Sequence, residues 1–272
     1  MAARNKRPSA LKNTLGEDIL VVIMKILSEN LRVRYRDVNR EGRLKAVSWF
    51  GYLQEIAVDH AEALGFGYHE MAKLGVFWVL ARMHLRIMRQ PAVEETLTLE
   101  TWPGTFRRLF AARHFRFTDR AGKTVALASS QWMTLSLENQ RPQRVEAIGE
   151  KCPDTSDLPV PFEFTGRLAA VPPEGEAQIF PVRYSMEDVN GHLNNAEYMA
   201  LAQDAAEHLA KHPLNFNEME IVFHAAVRAP ETLRVHIAPD GATGYLASGY
   251  REDGTLSFCA ALRDPEPREE RP

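Results

Sequence analysis

The string Asp188-Val189-Asn190-Gly191-His192-Leu193-Asn194-Asn195 sets a carboxylate, an amide and an imidazole at i, i+2 and i+4. In an extended segment that spacing turns all three side chains to one side. Together they suit activation of water: a carboxylate or imidazole takes the proton while an amide holds the water or the carbonyl it attacks. The pattern predicts a helix starting near Asn195, whose first-turn N–H groups and dipole would stabilise the oxyanion. Such chemistry requires no metal or organic cofactor. Asp, Asn and Gly are also common turn residues, and Asn195 reads as a helix cap. The string by itself therefore leaves a plain turn open beside a catalytic loop.

The elements that must position this loop occur twice. Val33-Arg34-Tyr35 matches Val182-Arg183-Tyr184 at an offset of 149 residues, and the match runs on without a gap. Gly42 falls on Gly191, Leu44 on Leu193, Gln54 on Gln203, Ala57 on Ala206 and Ala61 on Ala210, with Trp49 on Tyr198 and Glu55 on Asp204. One long period argues for two copies of a domain. Asn39, Glu41 and Arg43 of the first copy stand where Asp188, Asn190 and His192 stand in the second. A turn alone has no use for His in one copy and Arg in the other, so one active centre per chain is expected, in the second copy.

Each copy reads as a strand ending in Val-Arg-Tyr, a polar turn with Gly, a long helix and a run of strands. The first helix is expected over about 47–64, with Trp49, Leu53, Ile56, Ala57 and Leu64 on one face. Strands are expected at about 76–89, 97–102, 109–117 and 124–137, then at 218–228, 232–237, 243–250 and 255–262. This is an α+β pattern in which each helix packs on one face of an antiparallel sheet. The expected domains are 24–147 and 177–263. A Pro-rich linker at 148–176 is read as a strap, and 264–272 as a disordered tail. Residues 1–23 are a disordered or misassigned tail, with Met24 an alternative start.

Composition removes several classes of function. The 272 residues carry 33 Lys+Arg against 36 Asp+Glu, a net charge of −3, which excludes a globally basic nucleic-acid binder. Cys152 and Cys259 are the only cysteines, too few for a disulfide framework or a CxxC metal site. The apolar stretch 19–27 is interrupted by Lys25 and falls short of the roughly 20 residues of a membrane span. Arg4, Lys6, Arg7 and Lys12 precede that stretch in the manner of a signal peptide, but Gly16-Glu17-Asp18 intervenes. A cytoplasmic protein is expected. His208 and His212 are four apart, yet Pro213 follows and no HExxH pattern is present, so an exposed helix end is expected there and no metal site.

A sheet wrapped around one long helix, present twice, resembles the double hotdog fold. Val33-Arg34-Tyr35 with Asp37, Gly42-Arg43-Leu44, Tyr52-Leu53-Gln54-Glu55, His60-Ala61-Glu62-Ala63-Leu64-Gly65-Phe66-Gly67 and Glu100-Thr101-Trp102-Pro103 resemble acyl-acyl carrier protein thioesterases. The D-x-N-x-H-x-N-N string resembles the signature of their catalytic domain, and the resemblance covers about 31–262. It implies hydrolysis of medium- or long-chain fatty acyl-ACP, with acyl carrier protein as partner and Asp188, Asn190 and His192 catalytic, the Asp orienting the other two. A tandem chain supplies internally what single hotdogs gain by pairing, so a monomer or homodimer is expected.

The resemblance also implies a Glu early in the next long strand of the second domain. That position is Ala226, and the neighbouring cysteine of some plant relatives falls on Val227, so the sequence departs from the pattern there. Asp204 and His224 are candidate substitutes, with Asn194 and Asn195 as supporting polar groups; a solvated helix carboxylate is the plainer reading of Asp204. Trp49, Tyr52 and Trp78 are candidate linings of an acyl tunnel in the first domain, or core. Arg107, Arg108 and Arg113, with Arg116, make a basic run suited to docking an acidic carrier, or a solvated strand face. Acyl-CoA hydrolysis, a non-catalytic acyl-thioester binder and a hotdog dehydratase are the alternatives.

Overall fold

The computed structural model describes residues 25–150 and 152–264; the tail expected at 1–23 and residues 265–272 lie outside them. The first copy contributes β1 (Leu27–Arg32), α1 (Ala46–Ala63), β2 (Val76–Ile87), β3 (Thr96–Arg107), β4 (Phe110–Thr118), β5 (Thr124–Ser136) and the short β6 (Pro142–Gln143). The second contributes β7 (Gln178–Pro181), α2 (Asn195–Ala210), β8 (Glu218–Phe223), β9 (Thr232–Asp240), β10 (Gly244–Tyr250) and β11 (Leu256–Arg263). The described strands join one sheet in the order β1-β3-β4-β5-β2-β8-β11-β10-β9-β7, with β6 on β5. Exchanging each strand for its counterpart in the other copy reverses this order onto itself. The copies are thus related by a pseudo-two-fold whose centre is the antiparallel β2–β8 pair.

Strands β3 and β9 run on to Arg107 and Asp240, past their expected ends, and the boundaries near the motif differ from the sequence pattern as well. The first strand of each copy stops before Val-Arg-Tyr, because Val33 N–H and Val182 N–H bond to Glu95 O and Glu231 O and the chain then enters short 3-10 turns at Tyr35–Asp37 and Tyr184–Met186. Strand β8 stops at Phe223, five residues early, because the N–H groups of His224 and Ala225 both turn to Ser257 O at 2.8 and 3.1 Å. Residues 225–228 are consequently a loop.

Both helices lie on one face of the sheet and share one hydrophobic cluster. The stripe Trp49, Leu53, Ile56 and Ala57 of α1 meets alternate residues of β3 and β4, Leu97, Leu99, Phe115 and Phe117, with Trp49 edge-on to Phe117 at 5.1 Å. Burying each large apolar side chain stabilises the fold by about 1.5–3 kcal/mol. The helices also bond across the pseudo-two-fold through matched glutamines. Gln54 Oε1 accepts from Asn195 Nδ2 at 3.2 Å, and Gln203 Oε1 accepts from Ala46 N–H at 3.3 Å.

The opposite face carries the linker. Trp102 Nε1 donates to Pro159 O, Phe162 N–H donates to Ser129 Oγ, and the Phe162 ring stacks on His84 at 3.9 Å. Beyond the seam Val171 N–H donates to Ser248 Oγ, and Tyr250 donates its hydroxyl to Val171 O at 2.7 Å. Each strap hydrogen bond satisfies a polar group that burial would otherwise penalise. His114, on this covered face, is pushed down to about 4 by burial and by the adjacent Arg113.

Candidate active site

The motif is a closed turn and not the extended segment its spacing suggested. Asp188 Oδ1 accepts from Asn190 N–H at 2.8 Å and from His192 N–H at 3.4 Å, and Asp188 N–H donates to His192 O at 2.8 Å. A short acceptor side chain at the start of a turn curls the backbone in this way. Gly191 completes it at φ +68°, a conformation that suits glycine. Asn39 closes the same turn in the first copy, accepting from Glu41 N–H and Arg43 N–H at 3.1 and 3.0 Å. The backbone role of Asp188 is therefore common to both copies. What differs is Asn190, exposed at the turn, and His192.

His192 Nε2 accepts from Arg228 Nη2 at 2.8 Å, which leaves the ring proton on Nδ1. Burial first, and then the Arg228 charge, lower the pKa of His192 from the ordinary 6.5, against the opposing pull of Asp188, Glu187 and Glu231. Arg228 was not singled out from the sequence, because 218–228 reads as one strand; its signal was a lone cation two residues after Ala226. Leu193 N–H donates to Val227 O at 2.8 Å and Val227 N–H donates to Tyr198 Oη at 3.1 Å, which clamps the 225–228 loop between the motif and α2. Burial pushes the Tyr198 hydroxyl up to about 12.

The N-cap of α2 is Asn194, whose side chain accepts from Ala196 N–H at 2.9 Å, and not Asn195. Asn195 instead reaches Gln54 across the pseudo-two-fold. Its backbone N–H makes no hydrogen bond to a described residue, whereas the counterpart at Ala46 is taken by Gln203. At this first helical position the second copy thus keeps open a donor that the first copy fills.

A cavity of about 1900 Å³ joins this loop to the interior of the first copy. Asp188, Asn190, His192, Asn194, Asn195, His224, Ala226 and Arg228 line one end. Ala57, Phe66, Met71, Trp78, Leu80 and Trp132 line the apolar stretch beneath α1. The corresponding place beside Asn39 and Arg43 holds only about 20 Å³. Ala226 brings no polar side chain to the wall, and burial lowers the pKa of His224. Asp204 is not in the wall; its counterpart Glu55 is, because the pseudo-two-fold turns α1 of one copy toward the motif of the other.

The aromatic and basic candidates separate. Trp78 lines the cavity and donates from Nε1 to Phe66 O at 2.9 Å. Trp49 is core, since its helical stripe faces the sheet, and Tyr52 lies off the wall, donating to Asp37 Oδ2 at 2.6 Å. Arg107 and Arg108 are exposed at the β3–β4 turn, and Arg116 pairs with Glu100 at 2.8 Å. Arg113 is buried and cannot dock a carrier, because strand alternation puts it on the helix side with Ala111, Phe115 and Phe117.

Two family models match the chain, the acyl-ACP thioesterase N-terminal domain over residues 25–148 and the acyl-ACP thioesterase C-terminal domain over 171–255. A double hotdog carrying this loop in its second half defines the class, and the chain belongs to the acyl-ACP thioesterase family. It is similar to oleoyl-acyl carrier protein thioesterase 2 of Arabidopsis thaliana, 28% identical over 60% of this chain and 48% of that one. It is also similar to the oleoyl-acyl carrier protein thioesterase of Coriandrum sativum, 28% identical over 80% of this chain and 63% of that one. The chain thus spans between about half and two thirds of these relatives' lengths. A solved acyl-ACP thioesterase from Bacteroides thetaiotaomicron shares the fold with TM-score 0.76 at 21% identity, over 88% of this chain and 97% of that one. No helix among the described residues is long and apolar enough to cross a membrane.

Proposed function

We propose that the chain hydrolyses the thioester of a medium- or long-chain fatty acyl group held on acyl carrier protein, releasing the fatty acid and the carrier thiol. The observation that carries this reading is the cavity, which is continuous from the His192 loop to the apolar space under α1. The acyl chain lies among Ala57, Phe66, Met71 and Trp78, and the thioester carbonyl meets Arg228 and the open N–H of Asn195. Moving Arg228 onto that oxygen frees Nε2 of His192 to take a proton from water attacking the carbonyl carbon. Asn190 holds the water and Asp188 holds the loop. Collapse of the tetrahedral intermediate breaks the C–S bond, and the thiolate takes the proton back from His192. The working unit is the single tandem chain, since α1 and α2 both face the cavity, and two free cysteines suit the cytoplasm.

Thiol release from a series of acyl-ACPs, run beside matched acyl-CoAs, tests the reading; turnover of neither overturns it. The lowered pKa of His192 sets the pH dependence. The base is active when neutral, so kcat/KM should rise with pH through an inflection below the ordinary 6.5. An inflection above that value would remove His192 as the base. Arg107→Glu with Arg108→Glu should raise KM for acyl-ACP by about tenfold while leaving a short acyl-pantetheine unaffected. Equal losses on both substrates would place the two arginines outside carrier docking.

One observation favours a second reading, a binder that does not cleave. Ala226 leaves the wall without the carboxylate that the family resemblance implies at that position. Saturable binding of acyl-ACP without thiol release would establish it.

A further inference from the structure

The apolar stretch of the cavity also contains a buried cation. Arg113 is 9% exposed and lines the wall beside Cys152, on the sheet face that packs against α1. Its Nη1 bonds to His60 Nδ1 at 2.9 Å and to Thr101 Oγ1 at 3.2 Å. Its Nε and Nη2 make no hydrogen bond to a described residue, and among the described residues no carboxylate pairs with it. Burial lowers its pKa, to about 10, so it remains charged near neutrality. Cys152, pushed up to about 11 by burial, is a neutral thiol there and supplies no counter-charge.

A guanidinium without an anion in a place shaped for a hydrocarbon is costly. Burying an unpaired charge costs far more than burying a methyl group, and it is tolerated where an anion or strong acceptor arrives to meet it. A methyl-ended chain pressed against Arg113 would strip its remaining hydration and return nothing. A chain ending in a carboxylate would instead complete a charge-assisted pair with the free edge of the guanidinium, which is suited to a bidentate carboxylate. From this geometry we infer that the cavity selects acyl thioesters whose far end carries a carboxylate, and that Arg113 is the residue that recognises it. The inference rests on the proposed acyl-thioester reading and names its substrate class.

The test compares acyl-ACPs of matched length ending in methyl or in carboxylate, across a chain-length series. Calorimetric binding of non-hydrolysable thioether analogues of the same acyl-pantetheines runs in parallel. At the best length the carboxylate-ended chain should be favoured by about tenfold or more in kcat/KM and in Kd, as expected for one charge-assisted pair. Arg113→Met should abolish that preference and improve methyl-ended chains, and Arg113→Lys should keep part of it. If Arg113→Met does not fold, the wild-type comparison and Arg113→Lys still decide. Methyl-ended chains favoured at every length, in both turnover and binding, would overturn the inference while leaving the thioesterase reading intact. Preferential binding of carboxylate-ended analogues without hydrolysis of any acyl-ACP would do the reverse.

Discussion

His192→Ala should lower the turnover of acyl-ACP by about 10²-fold or more, the usual contribution of a general base, with the Kd of a non-hydrolysable acyl analogue nearly unchanged. Binding should survive because the proposed acyl site is lined by Phe66, Met71 and Trp78, well away from the motif turn in sequence and on other elements. The turn itself should survive because it is closed by Asp188 Oδ1 and the backbone, not by the imidazole. Asp188→Asn sharpens the test. Asn39 shows that an amide oxygen closes the same turn, so the variant should keep the loop and lose only the charge beside His192. Stopped-flow thiol release on both variants gives the answer, and full turnover by His192→Ala would remove the residue from the chemistry.

The paired turns also indicate what could be read from the residues alone. Two hotdog copies were legible, because the match at offset 149 runs without a gap and sets Asn39 against Asp188 and Arg43 against His192. The long helix was legible to within one residue at each end, as Trp49, Leu53 and Ile56 repeat at helical spacing. Contacts that cross the pseudo-two-fold were not, because no local pattern encodes them. Asn195 looked like a cap until Gln54 of the other copy was placed beside it, and the helix carboxylate at the cavity proved to be Glu55 and not Asp204. Arg113 was misplaced for a different reason. Its position in the alternation with Phe115 and Phe117 already pointed it inward, but a charge among other charges suggested solvent. The end of β8 was hidden as well, since Ala225, Ala226 and Val227 continue an apolar run that only the turn of two N–H groups to Ser257 O interrupts.

Trp49→Ala should cost about 3–5 kcal/mol of stability, lowering Tm by roughly 10 °C, because the ring is fully buried between α1 and β4 and edge-on to Phe117. A hole there also opens beneath Leu53 and Ile56, which belong to the cluster shared by both copies, so the loss should register in both halves of the chain. Trp49→Phe separates packing from polarity. The indole Nε1 is buried without a partner among the described residues, so exchanging it for a phenyl ring surrenders some contact area but removes an unsatisfied donor. The phenylalanine variant should therefore lose far less stability than the alanine variant. Trp78→Ala provides the contrast, since that ring lines the cavity; it should shift the accepted acyl length while moving Tm much less. Chemical denaturation beside a chain-length series on the three variants distinguishes the two positions. A change of chain preference in Trp49→Phe at unchanged stability would return Trp49 to the tunnel wall and move the stripe of α1 that packs on the sheet.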